Sequence, residues 1–412
     1  MFVKKSNYHS RTVLSIFLVI LINAIGIGLI LPQLAPMLFN KAANSIVPVA
    51  TSDYIRHWYY GVALSLPVIF MFLGSPLWGA ISDSIGRKKV LIVAILGQIS
   101  ASLLAAYSIH AQLISLFFFS QAFIGLIDAS ESTAQAAMMD ISTEQSNKVK
   151  NISLVTLAFT TGFIIGPIIG GILSDHTVIS WFNYKTPYLF AALLSVFNLL
   201  FLCLGFRETY QVKTENRPSP LQSIVTLFAI FKSKRILHLA VVLFCMELAW
   251  SLYFQSLSLT LLTWFGYTPK NIGFFMVAVS FCFSFALLVI LRLLIRCISR
   301  KAIICLGFLV SCITPLVEIF YPTELWMWLA ILPISISMAL VYNNILASFS
   351  NMVTEKQQGR IMGLSLTVTA TAFALSAVLI GLFSAIHLRV IFSIILGALL
   401  SGFIIILPQK QI

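Results

Sequence analysis

Twelve long apolar runs, separated by short polar connections, constrain this chain more than anything else in it. They fall at roughly 12–38, 58–81, 88–108, 112–139, 152–173, 187–205, 236–262, 271–292, 302–320, 325–348, 361–384 and 389–407. A helix needs about 20 apolar residues to cross a hydrocarbon core of about 30 Å, and backbone groups left unpaired in lipid exclude open alternatives. The runs are continuously apolar, whereas barrel strands alternate lipid-facing and lumen-facing positions over about ten residues. The expectation is an all-α integral membrane protein with twelve transmembrane helices. Composition agrees, with 59% hydrophobic and only 9% charged residues, against roughly 25% charged in soluble domains.

Charge fixes the expected orientation. With the N-terminus inside, 21 of the 26 Lys and Arg fall in cytoplasmic segments, leaving Lys41, Arg56, Lys185, Lys270 and Arg389 outside. Both termini are therefore expected in the cytoplasm, and the formal net charge of +13 reflects topology and anionic lipid, with no nucleic-acid partner. The first run, behind Lys4, Lys5 and Arg11, is too long for a signal h-region and lacks a small-residue cleavage site, so it reads as span 1. The six cysteines show no CxxC or metal spacing, and the six histidines lie near predicted ends and loops. No phosphate-binding Gly-rich loop is present, which argues against direct ATP coupling. No enzyme activity, cofactor or metal is expected.

Residues 206–235, containing Pro218 and Pro220, form the longest polar interval. They divide the chain into a six-helix half at 1–207, a cytoplasmic linker at 208–235 and a second six-helix half at 236–412. Two such halves around a midplane site are a recurring plan for secondary transporters. Such a bundle encloses its own cavity, so function as a monomer is expected, with membrane lipids as its surroundings.

Between spans 2 and 3 lies Gly79-Ala-Ile-Ser-Asp83-Ser-Ile-Gly86-Arg87-Lys88. Asp83 can accept from a neighbouring helix N-terminus or a guanidinium, and Arg87 offers the planar fork for such a contact. With twelve spans and a 6+6 split, this turn resembles the signature G-x-x-x-D-R/K-x-G-R-R/K of the major facilitator superfamily, with Ser84 where a base is usual. The resemblance implies the major facilitator fold and a cytoplasmic latch formed by Gly79, Asp83, Gly86, Arg87 and Lys88.

Span 5 carries Gly162-Phe-Ile-Ile-Gly166-Pro167-Ile-Ile-Gly170-Gly171. Small residues four apart permit close helix contact, and Pro167 removes a backbone hydrogen bond, so a bend against another helix is expected. The run is similar to the span 5 motif of the superfamily's drug:proton antiporters, which implies export. Asn23 to Pro32, Phe190-Ala-Ala-Leu-Leu and Phe206-Arg-Glu-Thr209 resemble the tetracycline-exporter branch over 12–209. In the second half the likeness rests on Gln358-Gly359-Arg360 and Gly363. Two positions depart from that branch: Asn23 stands where it has aspartate, and Gln121 where it has arginine, so neither tetracycline nor the charged pair carries over.

In their place, Asp128 and Glu131 lie mid-span 4, three residues apart and hence expected on one helix face. Gln121 and Gln135 extend that stripe. Glu247 is the matching acid in span 7, followed by Trp250, Tyr253 and Gln255. Intramembrane acids are costly and mark proton or substrate paths, so Asp128, Glu131 and Glu247 are the candidate proton carriers. By resemblance, spans 1, 4, 7 and 10 line the cavity, which adds Asn23, Asn343 and Asn344 as candidate substrate contacts. Asp53, Asp140, Asp175 and Glu324 fall at predicted loop edges and are expected to be solvated, and Glu318 near the end of span 9 is left unassigned. The leading expectation is a proton-coupled antiporter in the inner membrane, exporting a small organic compound such as a drug, toxin or siderophore-like metabolite. The alternatives are a proton symporter importing a nutrient or metal-chelating metabolite, and a receptor or scaffold without transport.

Overall fold

The computed structural model describes residues 2–42, 45–128, 130–141, 145–209, 233–353 and 358–408. Among them, twelve helical segments are long and apolar enough to cross a membrane, and the protein is a multi-pass, all-α membrane protein. Spans 1 to 3 are α1 (Phe2–Phe39), α2 (Asp53–Ile85) and α3 (Arg87–His110). Span 4 is two helices, α4 (Ile114–Ile127) and α5 (Ser130–Asp140), followed by α6 (Gln145–Leu173) and α7 (Thr186–Gly205) as spans 5 and 6. Span 7 is α8 (Lys234–Phe265); span 8 is α9 (Pro269–Phe285), a π-helical turn over Ala286–Ile290 and α10 (Leu291–Cys297). Span 9 is α11 (Arg300–Ser311) with α12 (Ile313–Phe320), and spans 10 to 12 are α13 (Glu324–Asn351), α14 (Gln358–Phe383) and α15 (Leu388–Ile406). Residues 210–232, most of the expected linker, lie outside the described residues.

Two compact units emerge. The first comprises Met1–Thr51, Leu66–Pro220 and Thr268–Val277; the second comprises Ser52–Ser65, Leu221–Tyr267 and Ala278–Ile412. The start of α2 is thus grouped with the second unit, and the start of α9 with the first.

The first unit is built on small-residue crossings and an aliphatic core. Ile16, Val19 and Ile20 of α1 meet Leu91 and Ile95 of α3, Ala134, Ala137 and Met138 of α5, Ala158 of α6, and Leu202 and Phe206 at the end of span 6. Since lipid tails are as apolar as leucine, close van der Waals packing rather than water exclusion drives such helix association. In the second unit, a Cβ at Gly402 would meet Phe308 of α11 at 2.6 Å and Cys245 of α8 at 3.3 Å, and Trp264 of α8 lies 5.4 Å from Phe392 of α15. The outward surface carries large bare apolar side chains such as Leu204, Leu325 and Ile386, as a lipid-facing surface requires.

Candidate functional site

In the first unit the polar groups gather where span 4 breaks. Asp128 ends α4 with a non-helical ψ of 80°, its amide bonded back to Gly125 rather than one residue further. The break is held from several sides. The Trp78 indole of α2 donates to the Leu126 carbonyl at 2.8 Å. A Cβ at Gly74 would run into that same carbonyl, one at Gly125 into the Pro67 carbonyl of α2, and one at Gly97 into the Ile127 side chain. Span 2 and span 4 therefore approach backbone to backbone, and the freed carbonyl finds an indole N–H in place of its helical partner.

Asp128 closes α4 with non-helical backbone, whereas the i, i+3 rule that would pair it with Glu131 needs continuous helix. Gln121 on α4 and Gln135 on α5 likewise belong to different helices, and the side chain of Glu131 lies outside the described residues. What the break does create is a chain of polar contacts from three spans. Gln98 of α3 donates to Asn23 at 2.9 Å, and the Asn23 amide reaches the Asp128 carboxylate at 3.5 Å. Asn23 and Gln98 are buried. Gln121 is also buried, close to the Tyr188 hydroxyl of α7. Sequence reasoning singled out Asn23, Asp128 and Gln121 as candidates but not Gln98, an amide in the middle of an apolar span whose only signal was its cost there.

At the turn between spans 2 and 3, Gly86 takes a φ of +100°, open to glycine and strained for other residues. Arg87 pairs with Asp83 at 2.7 Å and with Asp140 at the end of α5 at 3.1 Å, and also donates to Ser82 Oγ. Asp140 is therefore an ion-pair partner, not merely solvated as expected. The neighbouring helix N-terminus is held by a different acid: Glu208 accepts from the Arg87 amide at 2.9 Å and the Lys88 amide at 3.0 Å. Two of the orphan donors of α3 are satisfied in this way, with the helix dipole favouring the negative charge. Lys88 reciprocates, donating to the carbonyls of Phe206 at 2.7 Å and Cys203 at 3.2 Å, the C-terminal end of α7. Ser84 bonds to the Ile81 carbonyl of its own helix, and a Cβ on Gly79 would meet nothing within 4 Å among the described residues.

The span 5 glycines act as expected for close approach. A Cβ at Gly162 would meet Ala24, one at Gly166 the Ile25 carbonyl and Gly28, and one at Gly170 the Leu29 carbonyl, all on α1. Gly171 abuts Pro269, and Gly273 abuts the Pro167 carbonyl, with α9 beginning beside the end of α6. The helix continues through Pro167 from Gln145 to Leu173. Past its end, Asp175 is buried and accepts from the Thr177 amide and hydroxyl at 2.9 and 2.7 Å, which corrects its expected solvation. Burial alone would push its carboxyl up, but the Thr177 bonds, a bond from Thr268 and the His176 charge together hold it below the usual carboxylate value. Tyr184 nearby is pushed up to about 12 by burial and by the Asp175 charge.

In the second unit, Glu247 is buried and accepts from the Thr369 hydroxyl of α14 at 3.0 Å. Gln255, two turns on, donates to Ser376 Oγ at 2.6 Å, while its own carbonyl receives the Tyr60 hydroxyl at 2.5 Å. Trp250 stands over Phe254 and Phe283, 5.8 and 5.1 Å between ring centres. Tyr253 is buried. The two asparagines of α13 part company: Asn344 is buried and returns its amide to the Leu340 carbonyl of its own helix, while Asn343 is exposed. Glu324, at the start of α13, accepts from the Tyr267 hydroxyl. His57, in the first turns of α2 and so near a span end as expected, pairs with Ser384 just past the end of α14 at 2.8 Å.

The sequence profile of the Major Facilitator Superfamily matches residues 16–263 and 239–411. The class C tetracycline resistance protein of Escherichia coli is 31% identical over 202 residues, covering 49% of this chain and 46% of that protein, so the match spans about half its length. The class B protein of Escherichia coli is 25% identical over 85% of this chain and 82% of its own length. Multidrug resistance protein 2 of Bacillus subtilis (strain 168) is 27% identical over 89% and 87%. Among solved structures, the D-xylose-proton symporter aligns with a TM-score of 0.76 at 12% identity, covering 97% of each chain. The human organic anion transporter MFSD10 (TETRAN) aligns at 0.69 and 19% identity, covering 97% of this chain and 99% of that one. At such identities these two structures speak for the fold alone.

Proposed function

The chain belongs to the Major Facilitator Superfamily, and from that membership we propose that it is a proton-coupled secondary transporter of the inner membrane, exporting a small organic compound in exchange for protons. The observation that carries this reading is Asp128, an intramembrane carboxylate at a helix break, in contact with Asn23. An acid in the membrane interior is expensive unless it serves a path, and one at the end of a helix segment can change partners without rebuilding a helix. Glu247, in the other half of the sequence, is the second carrier: among the described residues its carboxylate takes one hydrogen bond, from Thr369, which leaves room to exchange a proton. The tetracycline and multidrug resistance relatives support export, and Asn23, Gln98 and Gln121 are read as substrate contacts in the first unit. Both termini are placed in the cytoplasm on the lysine and arginine bias, the halves meet through a linker at 208–235, and the protein works as a monomer. The turn at Gly79 to Lys88 gates the cytoplasmic side.

Protonation biases a two-state protein only through a difference in affinity between the states, so the test is coupling. In liposomes with an imposed pH gradient and a panel of small organic compounds as probes, the wild type is expected to exchange protons for at least one of them. Asp128→Asn and Glu247→Gln should each cut gradient-driven flux at least tenfold; unchanged flux in both removes the assignment. Asn23 and Gln121, in place of the charged pair of the tetracycline exporters, favour an importing symporter as the second reading. Flux running with the proton gradient rather than against it would select that one.

A further inference from the structure

The turn between spans 8 and 9 is the counterpart, in the second six helices, of the turn between spans 2 and 3, and a repeated contact sets the two in register. Lys88, at the start of α3, donates to the Phe206 carbonyl just past α7 at 2.7 Å; Lys301, at the start of α11, donates to the Leu407 carbonyl just past α15 at 2.6 Å. Counted back from these lysines, Arg87 corresponds to Arg300, Asp83 to Arg296 and Gly79 to Arg292. The acid of the first turn is an arginine in the second.

The two turns therefore answer their charge differently. Arg87 pairs with Asp83 and Asp140. Arg292, Arg296 and Arg300 are exposed, and among the described residues none of their side chains has a hydrogen-bond or ion-pair partner. No Asp or Glu stands between Glu247 and Glu318 in the sequence. Arg292 and Arg296 share a face of α10 one turn apart, where like charges repel. Arg300 follows within about 14 Å even for a fully extended chain, so the three guanidinium groups crowd one end of span 8.

Depth indicates where their anion comes from. Span 8 runs over 29 residues, Pro269–Cys297, which at about 1.5 Å per residue is about 43 Å, the thickness of a bilayer with its headgroup layers and more than its hydrocarbon core. The last two turns, α10, stand at headgroup level. Among the arginines, Leu288, Leu293 and Ile295 are 57, 60 and 54% exposed, which sets a surface for acyl chains beside one for phosphate. Guanidinium groups take phosphate through a planar fork of hydrogen bonds.

We propose that Arg292, Arg296 and Arg300 bind the phosphate headgroup of an anionic phospholipid, which supplies the counter-charge that Asp83 supplies in the first turn. The apolar neighbours select a lipid over a free phosphate. By the charge bias that orients the protein the lipid belongs to the cytoplasmic leaflet; the site itself does not depend on the transport reading.

The test is lipid selectivity. Purified full-length protein in uncharged detergent is titrated with phosphatidylglycerol or with phosphatidylcholine of the same acyl chains, and retained lipid is read by mass spectrometry of the intact protein. The wild type is expected to hold phosphatidylglycerol at least tenfold more tightly, and equal retention overturns the site. Each basic group near an anionic surface is worth about fivefold, so Arg292→Gln, Arg296→Gln and Arg300→Gln combined should weaken phosphatidylglycerol binding at least tenfold. Should that variant not be recovered monodisperse, Arg296→Asp, which restores the acid of the first turn, should weaken it about fivefold or more. Wild-type affinity in whichever variant is measured overturns the assignment. Lys41→Gln, Lys185→Gln and Arg389→Gln combined remove the same charge elsewhere and should leave binding unchanged; an equal loss there shows bulk charge at work and no site. Glycerol 3-phosphate, the same headgroup chemistry without acyl chains, should fail to displace the lipid at equal concentration, and displacement overturns the lipid in favour of a soluble phosphate.

Discussion

Glu208 illustrates how much one side chain can hold. Its two oxygens take the first amides of α3, and Lys88 ties the same helix start to the end of α7. Replacing a good helix cap typically costs about 1 kcal/mol, so Glu208→Ala is expected to lower the melting temperature of the purified protein by a few degrees. Glu208→Asp should recover part of it, and a melting curve identical to wild type would show the cap to be idle. At this scale the sequence was a partial guide. Asn23, Asp128 and Glu247 declared themselves as polar residues in apolar spans, because their burial cost is visible without coordinates. Glu208 did not, since an acid in a loop carries no such cost and its partner lies 121 residues away. Asp140 and Asp175 were misread for the same reason: position at a helix edge says little about which cation or amide the fold will bring.

Among the helices, the break in span 4 is the feature least legible beforehand. The end of α4 at Ile127 and Asp128 reads in sequence as the middle of a continuous apolar helix, and the approach of α2, with Gly74 and Trp78 on the Leu126 carbonyl, is what marks it in the structure. The glycine run of span 5 was legible, because small residues four apart have few uses other than close contact. The expected consequences differ along it. Gly170→Val places a side chain on the Leu29 backbone and should abolish recovery of monodisperse protein in size-exclusion chromatography, whereas Gly79→Ala, facing open space, should be recovered at wild-type yield. At the end of that span Asp175 sets a pH dependence. Its carboxyl lies below the ordinary value near 4, so its contribution to stability is complete above about pH 4 and is lost as pH falls through the lower folded value. The stability gap between wild type and Asp175→Asn should therefore be widest near neutral pH and close in acid; a gap that stays constant in thermal melts down to about pH 3 would count against the Thr177 bonds.

At the scale of the whole molecule, the hydrophobic runs were enough to read the fold class and the twelve spans, because a membrane leaves the backbone so few options. The grouping of Ser52–Ser65 with the second unit and Thr268–Val277 with the first was not readable, since it depends on which helix ends meet rather than on any local composition. Orientation remains a prediction argued from charge: a green fluorescent protein fused after the C-terminus should be fluorescent in cells, and a secreted phosphatase fused there inactive, the reverse pattern contradicting the cytoplasmic placement.

The Glu208 cap also bears on how the protein is made. The start of α3 leaves the ribosome 121 residues before the acid that closes it, a delay of about 6–24 s at typical synthesis rates of roughly 5–20 residues per second. Closure by Glu208 therefore cannot precede synthesis of the end of span 6, and the amides of Arg87 and Lys88 go without this partner until then.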